Sequence, residues 1–249
     1  MARAPAPLAL VQPEPGQSRY AALAAALRQR IVAGEWPPGT ALPSETMLAG
    51  EYGVALGTMR RGLELLAEQG LIERHHGKGT FVRGGLSGVA PMLRFFRFGD
   101  GAGEVPSSTV LSRQTASASA EVSRRLGVGR GEKVLRIQRL RSMGGEPCLV
   151  EDIWLPLPLF TSLIEGDTTQ WDDLLYPMFA ERCGVTIMRV SDEIRFGNLT
   201  ASQSRVLKLT PGHPCATVTR QSFDLAGNCV ELRTTRGDAY AFQYAVTIT

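Results

Sequence analysis

The sequence predicts an α+β protein in two parts, and three observations carry that prediction. Across residues 18–83 apolar side chains recur at helical spacing between capping residues and glycines. A short basic hairpin closes that stretch. From residue 107 onward the pattern changes to strand-like runs with glycine turns and short helices between them, the mark of an antiparallel sheet with inserted helices.

The first helix starts at Ser18, whose hydroxyl can cap it, and carries the apolar stripe Tyr20, Leu23, Leu27 and Ile31. Gly34, Pro37 and Pro38 stop it. Ser44, with Pro43 before it and the acidic Glu45 at the positive helix end, opens a second helix that ends at Gly53. The third runs from about Ala55 to Gln69, buries Met59, Leu63 and Leu66, and stops at Gly70. Residues 71–75 and 80–82 then read as two strands joined by His76-Gly77-Lys78-Gly79.

Three helices followed by a basic hairpin make a winged helix-turn-helix over residues 18–83. A helix fits the major groove of double-stranded DNA, and a glycine-rich tip carrying Lys78 can approach phosphate or the minor groove closely. The plainer reading takes Arg60, Arg61 and Lys78 as a solvated face and the glycines as ordinary turn residues. The order helix, turn, helix, wing favours DNA.

Residues 84–91 read as a glycine-rich linker, and Phe95, Phe96 and Phe98 as the edge of a second core in residues 92–249. There, residues 133–143 and 147–155 flank Gly144-Gly145, a hairpin signal. Residues 215–225 and 228–235 repeat it around Ala226-Gly227, and 240–248 supply a last strand. Helices are expected at 119–126, stopping at Gly127, and at 171–183, stopping at Gly184. Thr200-Ala201-Ser202-Gln203 is a capping box for another, ending before Pro211.

Composition excludes several classes. The chain has 249 residues, room for one large domain or two modest ones, and a net charge of +3, too weak to argue for any partner. Its longest apolar stretch, residues 20–27, falls far short of the ~20 residues of a membrane helix. Pro5, Pro7, Pro13 and Pro15 break up the start, so residues 1–17 read as a disordered leader and the protein as cytoplasmic, with no membrane association. Cys148, Cys183, Cys215 and Cys229 form no CxxC pair, and His75, His76 and His213 are the only histidines; no disulfide framework, metal site or cofactor is indicated.

The run Tyr20, Ile31, Gly34, Pro38-Gly39, Leu42-Pro43-Ser44-Glu45, Leu48-Ala49, Tyr52-Gly53-Val54, Thr58-Met59-Arg60, Leu66, Gly70-Leu71-Ile72 and Gly77-Lys78-Gly79-Thr80-Phe81-Val82 resembles the N-terminal domain of GntR-family bacterial transcription regulators. The resemblance spans about 65 positions and implies DNA contacts from Ser44, Thr46, Leu56, Thr58, Arg60, Arg61, His76, Gly77 and Lys78. Arg60 would read bases, Ser44 and Thr58 would touch phosphate, and Gly77 would make the close approach. The family commonly carries arginines where this chain has Thr46 and Leu56, and a serine at Ala55. Each lost bidentate arginine removes about 1–3 kcal/mol of base discrimination. The lost cap oxygen removes roughly 1 kcal/mol from the third helix.

In the second part, Arg139-Leu140-Arg141, Gly145-Glu146-Pro147, Glu151, Leu155-Pro156, Leu175-Tyr176 before Gly184, Glu231 and Arg236-Gly237-Asp238-Ala239-Tyr240-Ala241-Phe242 together resemble the UTRA effector domain of the HutC subfamily. That resemblance implies a chorismate-lyase-like fold with a pocket for a small anionic metabolite. Arg139 and Arg141 would hold the anionic group, Glu151 and Glu231 would accept hydrogens, and Tyr176 and Tyr240 would complete the site. Arginine suits the first task because its planar fork gives paired, charge-assisted bonds. Leu174 stands where phosphosugar-binding members have serine, which favours a carboxylate or another less charged ligand. The plainer reading places Arg139 and Arg141 on the solvent side of the sheet.

Register decides between pocket and surface. A two-residue turn at Gly144-Gly145 pairs Arg141 with Cys148 and puts Glu151 on the face away from both arginines. A three-residue loop at Met143-Gly144-Gly145 pairs Arg141 with Pro147 and brings all three groups to one face.

These readings imply a ligand-responsive regulator, a repressor, acting as a homodimer on a near-palindromic operator, because one recognition helix spans too few base pairs. The alternatives are a metabolite sensor whose DNA-binding head has degenerated and, from His213 beside Cys215, a chorismate-lyase-like enzyme. No second histidine or adjacent triad signature supports catalysis, so no catalytic residue is expected.

Overall fold

In the computed structural model, which describes residues 16–86 and 105–243, Ser18 accepts a hydrogen bond from the Ala21 amide and starts α1 (Arg19–Val32). Its buried side is Ala22, Leu23, Ala24, Leu27 and Ile31. Tyr20, expected on that stripe, is 37% exposed, with its ring 5.8 Å from the Arg61 guanidinium. Ser44 caps α2 (Glu45–Tyr52), which Gly53 ends in the left-handed region at φ 62°. α3 (Leu56–Glu68) follows and packs on α1 through Met59, Leu63 and Leu66. The approach is close at Gly62, where an added Cβ would lie 3.3 Å from both a Leu23 methyl and the Tyr20 carbonyl. Each buried leucine contributes about 1.5–3 kcal/mol by leaving water.

The wing is β1 (Ile72–His75) paired antiparallel with β2 (Gly79–Val82), from Ile72 opposite Val82 to His75 opposite Gly79. The segment before α2 covers the other edge of β2. Gly39 and Leu42 amides donate to Val82 and Thr80 carbonyls, and the Val82 amide donates to Thr40.

The chain divides after Gly85 into two compact units. Most of the expected linker, Phe95, Phe96, Phe98 and the segment 244–248 lie outside the described residues.

The second unit is built from β3 (Ser107–Ser117), α4 (Ala120–Leu126), β4 (Lys133–Met143), β5 (Glu146–Pro156), α5 (Leu175–Cys183), β6 (Arg189–Asn198), α6 (Ala201–Val206), β7 (Pro214–Phe223) and β8 (Cys229–Asp238). The strands form one antiparallel sheet in the order β3-β4-β5-β8-β7-β6. Two strand–helix–hairpin halves therefore meet where β5 pairs with β8. α4 and α6 are capped by Ser119 and by the Thr200–Gln203 box, as their sequences predict. The first packs Val122 and Leu126 with Val134 and Leu232. Leu199 and Leu207, at the two ends of α6, pack with Cys215. A larger apolar core gathers α5 against Leu135, Ile137, Ile153 and Leu155 of the sheet.

Two boundaries differ from expectation. α5 begins at Leu175 rather than Trp171, because Pro177 is tolerated only in the first turn of a helix. Trp171 instead closes a separate 3-10 turn, Thr168–Gln170, capped by Asp167. Tyr240 sits not in a strand but in the 3-10 turn Ala239–Ala241, where Asp238 accepts from its amide.

Candidate functional site

The exposed face of α3 carries Leu56 and, one turn on, Arg60, with Arg61 beside it; Thr58 is half-buried. Ala55 holds the extended N-cap conformation, φ −63° and ψ 145°, yet supplies no side-chain bond to the helix. Arg60 Nε donates to Glu45 Oε2 at 2.8 Å, and Arg74 Nη2 from the wing lies 3.4 Å from Glu45 Oε1. One carboxylate at the start of α2 thus ties the third helix to the first wing strand. Arg61 pairs with Glu64 at 3.0 Å.

At the wing tip Gly77 has φ 71°, a conformation costly for any residue with a Cβ, and no atom lies within 4 Å of where one would stand. His76 and Lys78 flank it, both exposed. Ser44 spends its hydroxyl as the cap of α2, accepting from the Met47 amide at 3.2 Å, and Thr46 is exposed next to it. The nine residues expected at DNA therefore divide among the start of α2, the outer face of α3 and the wing tip of one unit.

In the second unit both arginines of the Arg139-Leu140-Arg141 motif are buried, at 1% and 4% exposure, which removes the reading that they line a solvent face. Neither expected register is observed. Gly144 and Gly145, at φ 56° and 83°, form the two-residue turn, with Met143 opposite Glu146 and Ser142 opposite Pro147. Cys148 is then bulged out, so that Arg141 pairs with Leu149 and Arg139 with Glu151. The extra residue returns Glu151 to the arginine face, the opposite of what the tight turn alone would give. The second hairpin does the same: Phe223 pairs with Cys229 and Ser222 with Glu231, skipping Val230.

These registers assemble a buried charged cluster. Arg139 Nε and Nη2 donate to Glu151 Oε2 at 2.9 and 2.7 Å. Arg233 Nη1 lies 3.5 Å from Glu151 Oε1, and its Nε donates to Glu231 Oε1 at 2.9 Å. Glu231 Oε2 accepts from Ser222 at 2.5 Å and from the Tyr176 hydroxyl at 3.1 Å. Arg220 binds Asp192 through two bonds of 2.6 Å. Arg141 donates to the Asp173 carbonyl and to the Pro106 carbonyl, each at 2.7 Å. Arg139 Nη1 and Arg141 Nε are buried without a hydrogen-bond partner.

Burial works to raise the Glu151 carboxyl, but the charges of Arg139, Arg233 and Arg141 overcome it and hold it at about 2. Burial, opposed by Glu151, draws the Arg139 guanidinium down to about 10, which leaves it charged at neutral pH. Burial, with the Glu231 charge, pushes the Tyr176 hydroxyl up to about 12, so it is a donor there. The neighbouring Cys148 thiol is pushed by burial up to about 11.

Of the six residues expected at the effector, Arg139, Arg141, Glu151, Tyr176 and Glu231 come together. Tyr240 does not join them: it is 79% exposed, and its ring meets His213, which pairs with Asp238 at 2.8 Å. Arg220, Ser222, Arg233 and Thr235 belong to the cluster and were not foreseen. Their alternation along β7 and β8 was the available signal, but polar residues at every second position ordinarily mark the solvent face.

Among the described residues no helix is long and apolar enough to cross a membrane, and no group of His, Cys, Asp or Glu could hold a metal ion. Residues 19–82 match the family described as bacterial regulatory proteins, gntR family, and residues 101–243 match the UTRA domain. The HTH-type transcriptional regulator SmoD of Agrobacterium fabrum is 28% identical, covering 92% of this chain and 95% of the relative. The HTH-type transcriptional repressor NagR of Bacillus subtilis is 26% identical over 87% and 89%. The ligand-binding domain of a GntR-family regulator from Bordetella bronchiseptica superposes with a TM-score of 0.58 at 27% identity, covering 63% of this chain and 96% of that structure. The match over residues 101–243, on a six-stranded sheet with buried arginines, shows that the chain belongs to the UTRA-domain family, and its N-terminal part of three helices and a wing is a gntR-type helix-turn-helix domain.

Proposed function

We propose that this protein is a cytoplasmic transcription repressor of the HutC type, binding a near-palindromic operator as a homodimer and released by a small anionic metabolite. Residues 18–83 are the DNA-reading part, with Arg60 on base edges and Ser44, Thr58 and the wing residues His76, Gly77 and Lys78 at the backbone. Residues 92–249 hold the effector.

The observation that carries the anionic effector is a pair of buried arginine donors without a hydrogen-bond partner, Arg139 Nη1 and Arg141 Nε. Arg139, Arg141, Arg220 and Arg233 set four guanidiniums against the three carboxylates of Glu151, Glu231 and Asp192. Among the described residues the cluster thus holds more guanidiniums than carboxylates, which suits it to an anion. Arg139 Nη1 and Arg141 Nε offer donors to an incoming carboxylate.

Coupling starts from Arg141. Its bond to the Pro106 carbonyl holds the residue just before β3, and its bond to the Asp173 carbonyl holds the approach to α5. An anion that claims Arg141 competes with both, and its preference for the rearranged state sets the upper limit of the coupling. The test has two stages: metabolite acids are screened for a rise in melting temperature, then for release of the protein from its own upstream DNA. Specific retention that no stabilising acid alters would leave the regulator without its proposed effector class.

A further inference from the structure

Leu56 is the first residue of α3, 36% exposed, and takes no part in the core made by Met59, Leu63 and Leu66. Its apolar side chain cannot cap the helix, and Ala55 before it, at the N-cap, makes no side-chain bond. It shares the outer face with Arg60 one helical turn later, and nothing lies within 4 Å of where a Cβ on the adjacent Gly57 would stand. The first residues of a recognition helix are those that meet base edges, and the one apolar group displayed in the major groove is the 5-methyl of thymine. Leucine offers no hydrogen bond to guanine, adenine or cytosine.

We infer that Leu56 is a specificity-determining residue that packs on a thymine methyl, so that each operator half-site carries a T·A pair at the step facing the start of α3. The inference rests on the DNA-binding reading of the first unit and goes beyond it by naming the base. Arg60, drawn toward Glu45, remains the hydrogen-bonding reader further along the same face.

The test selects a tight duplex from a randomised pool with the full-length protein, then replaces each thymine singly with deoxyuridine, which deletes only the methyl. One thymine per half-site is expected to respond, its replacement weakening binding about fourfold, the worth of one buried methyl-sized group. Leu56→Ala should bind thymine and uracil duplexes equally at that position while keeping the wild-type melting temperature. Leu56→Arg should move the preference there to guanine. Undiminished binding to every uracil-substituted duplex, or an L56A protein that still distinguishes the methyl, would overturn the inference while leaving DNA binding intact. Failure to select any duplex would overturn both.

Discussion

Arg139 and Glu151 stand directly opposite each other on β4 and β5, at 2.7 Å, only because Cys148 bulges out between the turn and the pair. The bulge, and not thiol chemistry, is what sets this register. Inserting one residue after Cys148 would set Glu151 opposite Gln138 and send the carboxylate to the other face, leaving Arg139 buried without its partner. Breaking such a pair costs about 3–5 kcal/mol. The urea midpoint of the full chain should fall accordingly for the insertion, whereas Cys148→Ser, which keeps the count and can still donate to the Arg141 carbonyl, should cost less than about 1 kcal/mol.

Acid should weaken the second unit through the same carboxylate. The Glu151 carboxyl titrates near 2 in the folded chain, below its ordinary value of 4.5, so its stabilisation is present in full above about 4.5 and is lost as pH falls toward 2. The loss is on the order of 3 kcal/mol over that window. Melting temperature measured from pH 6 to pH 2 should show the fall in wild type and a flatter profile in Glu151→Gln, which starts lower.

Ala55 occupies the N-cap of α3 with the right backbone and the wrong side chain. Ala55→Ser should raise the stability of the first unit by about 1 kcal/mol. An unchanged unfolding midpoint would mean that another group already satisfies the free amides at this helix start.

Two glycines of the same helix should respond in opposite directions to alanine. Gly57 has open space around it and should stabilise by about 0.5–1 kcal/mol as Gly57→Ala. Gly62 lies against Leu23 and the Tyr20 carbonyl, so Gly62→Ala should push α1 and α3 apart and destabilise. Comparing the two unfolding midpoints separates helix propensity from packing.

Arg60→Ala should weaken specific operator binding by roughly 10–100-fold, the worth of one bidentate base contact, without lowering the melting temperature, because Arg60 is exposed and pairs only at the surface. Titration of labelled operator measures it. Equal loss on unrelated DNA would reassign Arg60 to the backbone.

The helix starts were legible because Ser18, Ser44, Ser119 and Thr200 announce them, and Gly53, Gly127 and Gly184 mark ends by the left-handed turn they adopt. The edge strands β3 and β6 were not. Each pairs on one side only and buries little, so its sequence, SSTVLSRQTAS or RVSDEIRFGN, lacks a clean apolar alternation. The bulges at Cys148 and Val230 have no compositional sign, and with them went the face on which Glu151 and Glu231 point. Arg220 and Arg233 were hidden for a related reason: a charged residue at a strand position that faces a core is indistinguishable, in one sequence, from one that faces water.

The most direct test of a buried arginine cluster that senses an anion is operator release measured by fluorescence anisotropy. Labelled upstream duplex is held by the full-length protein and titrated with the small acid that most raises its melting temperature. Release that saturates with the acid in wild type, and is lost in Arg139→Gln although that variant still holds the duplex, is the predicted result. Release that proceeds unchanged in Arg139→Gln would contradict it.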